Sequence, residues 1–273
     1  MPYSRAQWRI LKTPPASGAW NMAVDEAILE RFETGHSLPT LRLYAWEPPC
    51  LSLGYAQPVR DVDRVRLADL GWDLVRRPTG GRAILHTDEL TYSVIGPLDE
   101  PRLEGSLMES YRRLAEALLD ALQRLSLPAQ ANPEAAAGLA RGPVCFEVPS
   151  NYEITVDGKK LIGSAQARRK EGVLQHGSLP LVGDLGRILH GLAYNDEESR
   201  TQAVERLHQR ATTVEEVLGH PLTWEQAAQA FIAGFSQVLN IELLEKSLTP
   251  AEETHAWELV EKKYANPSWT NRI

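Results

Sequence analysis

Tyr152-Glu153-Ile154-Thr155-Val156-Asp157-Gly158-Lys159-Lys160-Leu161-Ile162 is the stretch on which the fold turns. Asp157-Gly158 favours a two-residue turn with positive φ at both positions, and runs of strand-forming residues flank it, so 152–162 is predicted to be a β-hairpin. Directly downstream, Ala165 to Arg168 and Val173 to Gln175 bracket Lys170-Glu171-Gly172 and read as the next hairpin. Upstream, Leu41 to Trp46, Leu51 to Tyr55, Leu74 to Arg77, Ala83 to His86 and Leu90 to Ile95 are strand-like, with tight turns between the later ones.

Helical patterns interrupt these strands. Ser17 to Gly35 begins on a capping serine and carries Trp20, Val24, Ala27 and Ile28 on one face; Gly35 supplies a stop. Asp61 to Leu70 reads as a short helix. Gly105 to Leu125 is amphipathic, with Leu107, Tyr111, Leu114, Leu118, Leu122 and Leu125 along one side. The C-terminal third is mainly helical, notably Trp224 to Leu239 and Pro250 to Lys263. Hairpins interleaved with helices, without regular strand–helix alternation, predict an α+β fold: a mixed, largely antiparallel sheet flanked by helices. Residues 1–273 are read as one domain, its core about 40–245, with the C-terminal helices packed on it. Pro128 to Pro143, rich in Ala, Gly and Pro, reads as a surface loop or frayed helix.

The 273 residues are 43% hydrophobic and 24% charged, an ordinary globular composition. A net charge of -7 argues against nucleic-acid binding. No apolar run reaches the roughly 18 residues that span a bilayer, and Met1 to Trp8 contains none of signal-peptide length. A cytoplasmic protein with no membrane partner is expected. Two distant cysteines, Cys50 and Cys145, make neither a disulfide framework nor a metal-binding spacing, so no metal is expected.

Two segments concentrate basic residues. Arg76-Arg77-Pro78-Thr79-Gly80-Gly81-Arg82-Ala83-Ile84-Leu85-His86 joins a Gly-Gly pair to arginines between two strands. It is either a tight hairpin with solvated arginines or a loop whose backbone approaches a ligand. The second runs from Cys145-Phe146-Glu147-Val148-Pro149-Ser150 through Lys159-Lys160-Leu161-Ile162-Gly163-Ser164-Ala165-Gln166 to Gln175-His176-Gly177-Ser178. Gly163-Ser164-Ala165 offers a small-residue floor for a thin apolar chain. Lys160 is either a solvent-facing strand lysine or, beside Leu161 and Ile162, a buried one that needs a partner or ligand.

Residues 76–86 followed by Glu89-Leu90-Thr91-Tyr92-Ser93 resemble the lipoate-binding motif of the biotin/lipoate protein ligase superfamily. Lys160 to Gln166 and Gln175 to Ser178 resemble it too, as do Asn21 to Ala27 and Trp46 to Gly54. Within the superfamily the chain is most similar to LipM-type octanoyltransferases: 145–150 looks like the segment bearing their acyl-accepting cysteine, and Gly80-Gly81-Arg82 lacks the third glycine of many ATP-using ligases. The resemblance implies the biotin/lipoate ligase catalytic fold, related to class II aminoacyl-tRNA synthetases. It implies transfer of octanoyl from an octanoyl-acyl carrier protein to a lysine of a lipoyl domain or glycine cleavage H protein, through a thioester on Cys145, without a cofactor. Lys160 would stabilise the thiolate or the developing oxyanion. Arg77, Thr79, Gly80, Gly81, His86, Gly163, Ser164, Ala165, His176 and Gly177 would form the acyl site. Cys50 is read as structural, and Arg168, Arg169 and Lys170 as a surface for acidic carrier domains. The competing readings are an ATP-dependent lipoate ligase, an amidotransferase between lipoyl-type proteins, and a non-catalytic acyl-binding regulator.

Overall fold

The computed structural model describes residues 3–34, 37–132, 143–144 and 153–273, with 33, 34 and 132 by backbone alone. In chain order the strands and helices are β1 (Ala6–Lys12), α1 (Gly18–Glu30), β2 (Thr40–Tyr44), β3 (Cys50–Leu53), α2 (Arg64–Asp69), β4 (Asp73–Arg76), β5 (Ile84–His86) and β6 (Glu89–Gly96). There follow α3 (Leu107–Arg124), β7 (Gln130–Asn132), β8 (Glu153–Val156), β9 (Lys159–Arg168) and β10 (Val173–Pro180). The chain continues through α4 (Glu197–Arg210), α5 (Val214–Leu218), α6 (Trp224–Leu239), β11 (Ile241–Glu245), α7 (Pro250–Leu259) and α8 (Pro267–Thr270).

Eight strands form one sheet in the order β11-β1-β2-β6-β10-β9-β8-β7, and β4-β3-β5 form a second, smaller one. The β1 strand runs parallel to both β11 and β2, and every other pairing in the large sheet is antiparallel. The fold is therefore the expected α+β type with a mixed, largely antiparallel sheet. Asp157 and Gly158 both take positive φ, at 50° and 77°, and close the β8–β9 hairpin as the dipeptide requires.

Helices α3 and α6 cover one face of the large sheet. Leu114, Leu118 and Leu122 meet Phe231 and Phe235 in the principal core. Leu107, expected on the same apolar stripe, is exposed at the first position of α3. The helix α1 packs on the opposite side in a second cluster with Tyr44, Ile95 and Leu174.

Three sequence expectations change. The core starts upstream of residue 40, because β1 lies inside the large sheet and α1 is buried almost all round. The strand β2, which the alternation in Leu41 to Trp46 predicts to be half-buried, is buried on both faces, being covered by a helix layer on each side. Gln130–Asn132, expected in a loop, pairs with β8; the rest of that tract to residue 142 and Gly35 lie outside the described residues. Among the described residues no helix is long and apolar enough to cross a membrane.

Candidate functional site

The site begins where β9 and β10 pair. Gly163, Ser164 and Ala165 stand opposite Ser178, Gly177 and His176. A Cβ on Gly177 would sit 2.6 Å from Gly163 O and 2.7 Å from Tyr92 Cε1, so only glycine lets the tyrosine ring close on the strand pair. Tyr92 Oη shares a 2.8 Å hydrogen bond with Ser164 Oγ and accepts one from Gln175. Burial pushes the Tyr92 hydroxyl up to about 12, so it stays neutral.

The loop between β4 and β5 forms the facing wall, and its arginines are not solvated. Arg76 is fully buried and donates to the carbonyls of Gly54, Gln57 and Thr270. Arg77 donates to Ser52 O and Oγ, and at 3.1 and 3.0 Å to Gly80 O and Arg82 O. One guanidinium thus ties the glycine loop to β3. Gly54 is needed because any Cβ there would strike the Gly81 carbonyl.

Arg77 donates to the Ser52 hydroxyl, which leaves the Ser52 proton for His86 Nε2 at 2.7 Å. His86 Nδ1 then donates to Glu89 Oε1 at 2.6 Å. Ser178 and Thr91 donate to the same carboxylate oxygen. Trp46 stacks on the His86 ring with centroids 3.9 Å apart and donates to Thr91. A second chain runs through His176, whose Nε2 shares a 2.6 Å hydrogen bond with Thr79 Oγ1 and whose Nδ1 faces Asp25 Oδ2 at 3.6 Å. Arg42 donates to Asp25 at 2.8 Å, and Tyr44 and Ser93 donate to it as well. Burial resists ionisation of Asp25, but Arg42 and His176 together hold its carboxyl below the usual range. Burial also dominates at His176 and holds it below the ordinary histidine range despite Asp25.

Together these elements enclose a small slot of about 20 Å³. Arg77, His86, Gly163, Ser164, Ala165, His176 and Gly177, all expected at an acyl site, line it. So do Met22, Tyr44, Trp46, Ile84, Thr91 and Ser178, which sequence reasoning did not single out for it. Thr79 braces His176 from behind. Gly80 and Gly81, expected in the lining, are not part of it: their carbonyls are turned to Arg77 and toward Gly54.

Lys160, three residues before Gly163 on β9, is only 3% exposed, and its Nζ lies 2.7 Å from Glu153 Oε1. Glu153 was missed as its partner. The register supplies the signal: Lys160 pairs with Thr155, and a residue two positions further along that strand is a diagonal neighbour within reach of long side chains. Cys145 lies outside the described residues. Val144 before it bridges to Ala83 and is buried in a cluster with Leu207 and Ala211, and Ala211 bridges to Lys160. Cys50 is fully buried, and burial, with Asp73 and Glu89, pushes its thiol well up and keeps it protonated.

Two of the three basic residues expected to form a docking surface are engaged within the molecule. Arg169 pairs with the buried Glu26, and Arg168 donates to Leu103 O and Ser110 Oγ. Lys170 alone of the three points outward, beside Glu171. Both arginines are half-buried and tie the hairpin to the helices α1 and α3.

The mixed sheet, the paired covering helices and the slot between β9–β10 and the arginine-held loop define a domain of the lipoate-protein ligase class. Solved structures agree. The bi-partite lipoate protein ligase of Thermoplasma acidophilum superposes with a TM-score of 0.82 at 26% identity, over 98% of this chain and 97% of that one. A lipoate-protein ligase A bound with ATP superposes with a TM-score of 0.81 at 28% identity, over 97% and 99%. Residues 17–236 match the lipoyl protein ligase A/B catalytic domain, and the chain belongs to that family. Among its relatives are proteins named octanoyltransferase LipM from Brevibacillus brevis, 39% identical over 97% of this chain and 99% of the relative, and from Kyrpidia tusciae, 40% identical over 97% and 98%.

Proposed function

We propose that residues 1–273 form a single acyltransferase domain that moves octanoyl from octanoyl-acyl carrier protein to a lysine of a lipoyl domain or glycine cleavage H protein. The observation that carries this reading is the slot itself: a small, mostly apolar pocket over Gly163-Ser164-Ala165, on the strand that bears Lys160. Full-length similarity to octanoyltransferases supports the choice of acyl group and acceptor.

The Cys145 thiolate attacks the thioester carbonyl carbon. The new C–S bond forms as the carrier's C–S bond breaks, and the carrier's thiolate leaves and takes up a proton. The Lys160 ammonium favours the Cys145 thiolate and stabilises the oxyanion of the tetrahedral intermediate. The acceptor lysine, neutral, then attacks the enzyme thioester; the C–N bond forms, the C–S bond breaks and the amine proton is released. A thioester gives way to an amide, so ATP is not consumed. Arg77, Thr79, Gly80, Gly81, His86, His176 and Gly177 hold the slot's shape around the chain. Cytoplasmic location fits, because the chemistry needs a reduced thiol.

Incubation with octanoyl-carrier protein, read by intact mass, is expected to leave one octanoyl group on the protein, which the Cys145→Ala variant does not acquire. Labelling that persists in that variant contradicts the mechanism. Lipoylation of an acceptor from free lipoate and ATP alone points instead to a ligase.

A further inference from the structure

Successive side chains of a strand point to opposite faces of its sheet. Ser164 meets Tyr92 on the face covered by α3 and α6, so its neighbours Gly163 and Ala165 turn to the slot. Counting back from Ser164 by twos, Lys160 belongs on the α3–α6 face, inside the principal core. It is not there, because the β8–β9 ladder slips by one residue: Thr155 pairs with Lys160, but Ile154 pairs with Ile162. Leu161 is the extra residue, and both it and Ile162 are buried in the principal core with Ile154. Two successive apolar side chains on one face turn Lys160 onto the other, together with Thr155 and Glu153. A β-bulge re-aims a side chain in this way at the expense of a regular ladder. Here it puts Lys160 on the same face of the sheet as the slot.

Turning the strand is not enough, because a lysine stem is flexible and its amine can swing through a wide arc. Two contacts narrow that arc. The Lys160 carbonyl accepts from Thr212 N at 3.0 Å, which fixes the backbone. Its Nζ lies 2.7 Å from Glu153 Oε1, and Glu153 is itself held in the ladder opposite Asn132. We infer that Glu153 is a positioning residue for acyl transfer: it holds Lys160 Nζ on the slot face of the bulged strand, where that group serves the reacting thioester. This rests on the reading of Lys160 as the group that stabilises the thiolate and the oxyanion. A stabilising group displaced by about 1 Å can cost about 100-fold in rate, so a carboxylate that touches only the lysine still governs the chemistry.

The test is the time course of acyl-enzyme formation from octanoyl-carrier protein, read by intact mass over a range of donor concentrations. Wild type is compared with Glu153→Asp, Glu153→Gln and Glu153→Ala, each checked for folding by its thermal melt. A merely structural brace would lower stability and leave the rate of the folded protein alone. A positioning role lowers the rate at saturating donor and leaves the half-saturating concentration in place. Glu153→Gln is expected to slow the saturated rate about tenfold or more, short of the roughly 100-fold or greater cost of losing an oxyanion donor outright. Glu153→Asp, which keeps the carboxylate one methylene further back, is slowed less, and Glu153→Ala most. A folded variant within about twofold of the wild-type saturated rate overturns the inference. So does a loss confined to the half-saturating concentration, or Glu153→Asp no faster than Glu153→Ala. Should Glu153→Gln and Glu153→Ala not fold, Glu153→Asp alone decides by the same margin of about twofold. If wild type acquires no octanoyl group, the transferase reading and this role fall together; if it acquires one and the variants keep pace, the role of Glu153 alone fails.

Discussion

Lys160 and Cys50 show what a single side chain's surroundings decide. Lys160 sits in a strand among apolar neighbours with its Nζ paired to Glu153. Replacing it with Met is expected to abolish the acyl-enzyme and to destabilise the fold by about 3–5 kcal/mol, since the largely buried Glu153 loses that ion pair. Denaturant unfolding gives the second number, and an active Lys160→Met protein would contradict the role assigned to the ammonium. Cys50→Ala is expected to leave acyl transfer in place, because that thiol is buried and protonated; loss of the adduct in this variant would show the wrong cysteine had been chosen. Lys160, Arg77, His86 and His176 were legible in the sequence through the motifs that carry them. Glu153, Ser52 and Glu89 were not, because their importance lies in which strand they face, and register is fixed only by the assembled sheet.

At the scale of elements, α1 departs most from its sequence pattern. Trp20, Val24, Ala27 and Ile28 suggested a single apolar face, yet Asn21, Asp25 and Glu26 are buried as well. The reason is tertiary: α7 and the turn after it cover the side that would otherwise meet water, and Lys263 and Tyr264 satisfy Glu26. Asp25 similarly ties α1 to β2 through Arg42 and to β10 through His176. Asp25→Asn leaves Arg42 buried without its counter-charge and is expected to cost about 3–5 kcal/mol, seen as a lowered melting temperature. The pH dependence follows in sign. Both Asp25 and His176 titrate lower in the fold than in the unfolded chain, so the unfolded chain binds more protons in acid. Stability from His176 is complete above about pH 6.5 and is lost as pH falls from there, with Asp25 adding a further loss below about pH 4. In His176→Gln the decline between about pH 6.5 and pH 5 should be shallower; an unchanged slope in urea unfolding would refute this assignment. The strands β1 and β11 escaped the sequence reading because they pair with each other across most of the chain, where no local turn announces them.

Taken as a whole, the molecule closes on its own site. The C-terminal segment returns to the loop beside the slot: Arg76 donates to Thr270 O, Trp269 Nε1 donates to Arg76 O, and Arg272 donates to Tyr55 O. Lys263 and Arg272 lie over the Trp269 ring at 4.2 Å each. Trp269→Ala is expected to cost about 2 kcal/mol and to slow acyl-enzyme formation by loosening the Gly54–Gly81 contact; a variant as fast as wild type would separate the tail from the site. The α+β architecture was legible because hairpin turns and amphipathic helices are local signals. This latch, and the partners of Arg168 and Arg169, were not, because charge patterns along a chain do not reveal which groups fold toward one another. The most direct measurement is the intact mass of the wild-type protein and its Cys145→Ala variant after mixing with octanoyl-carrier protein. One octanoyl group on the wild type and none on the variant is the expected result; equal labelling of both, or none on either, would contradict the account.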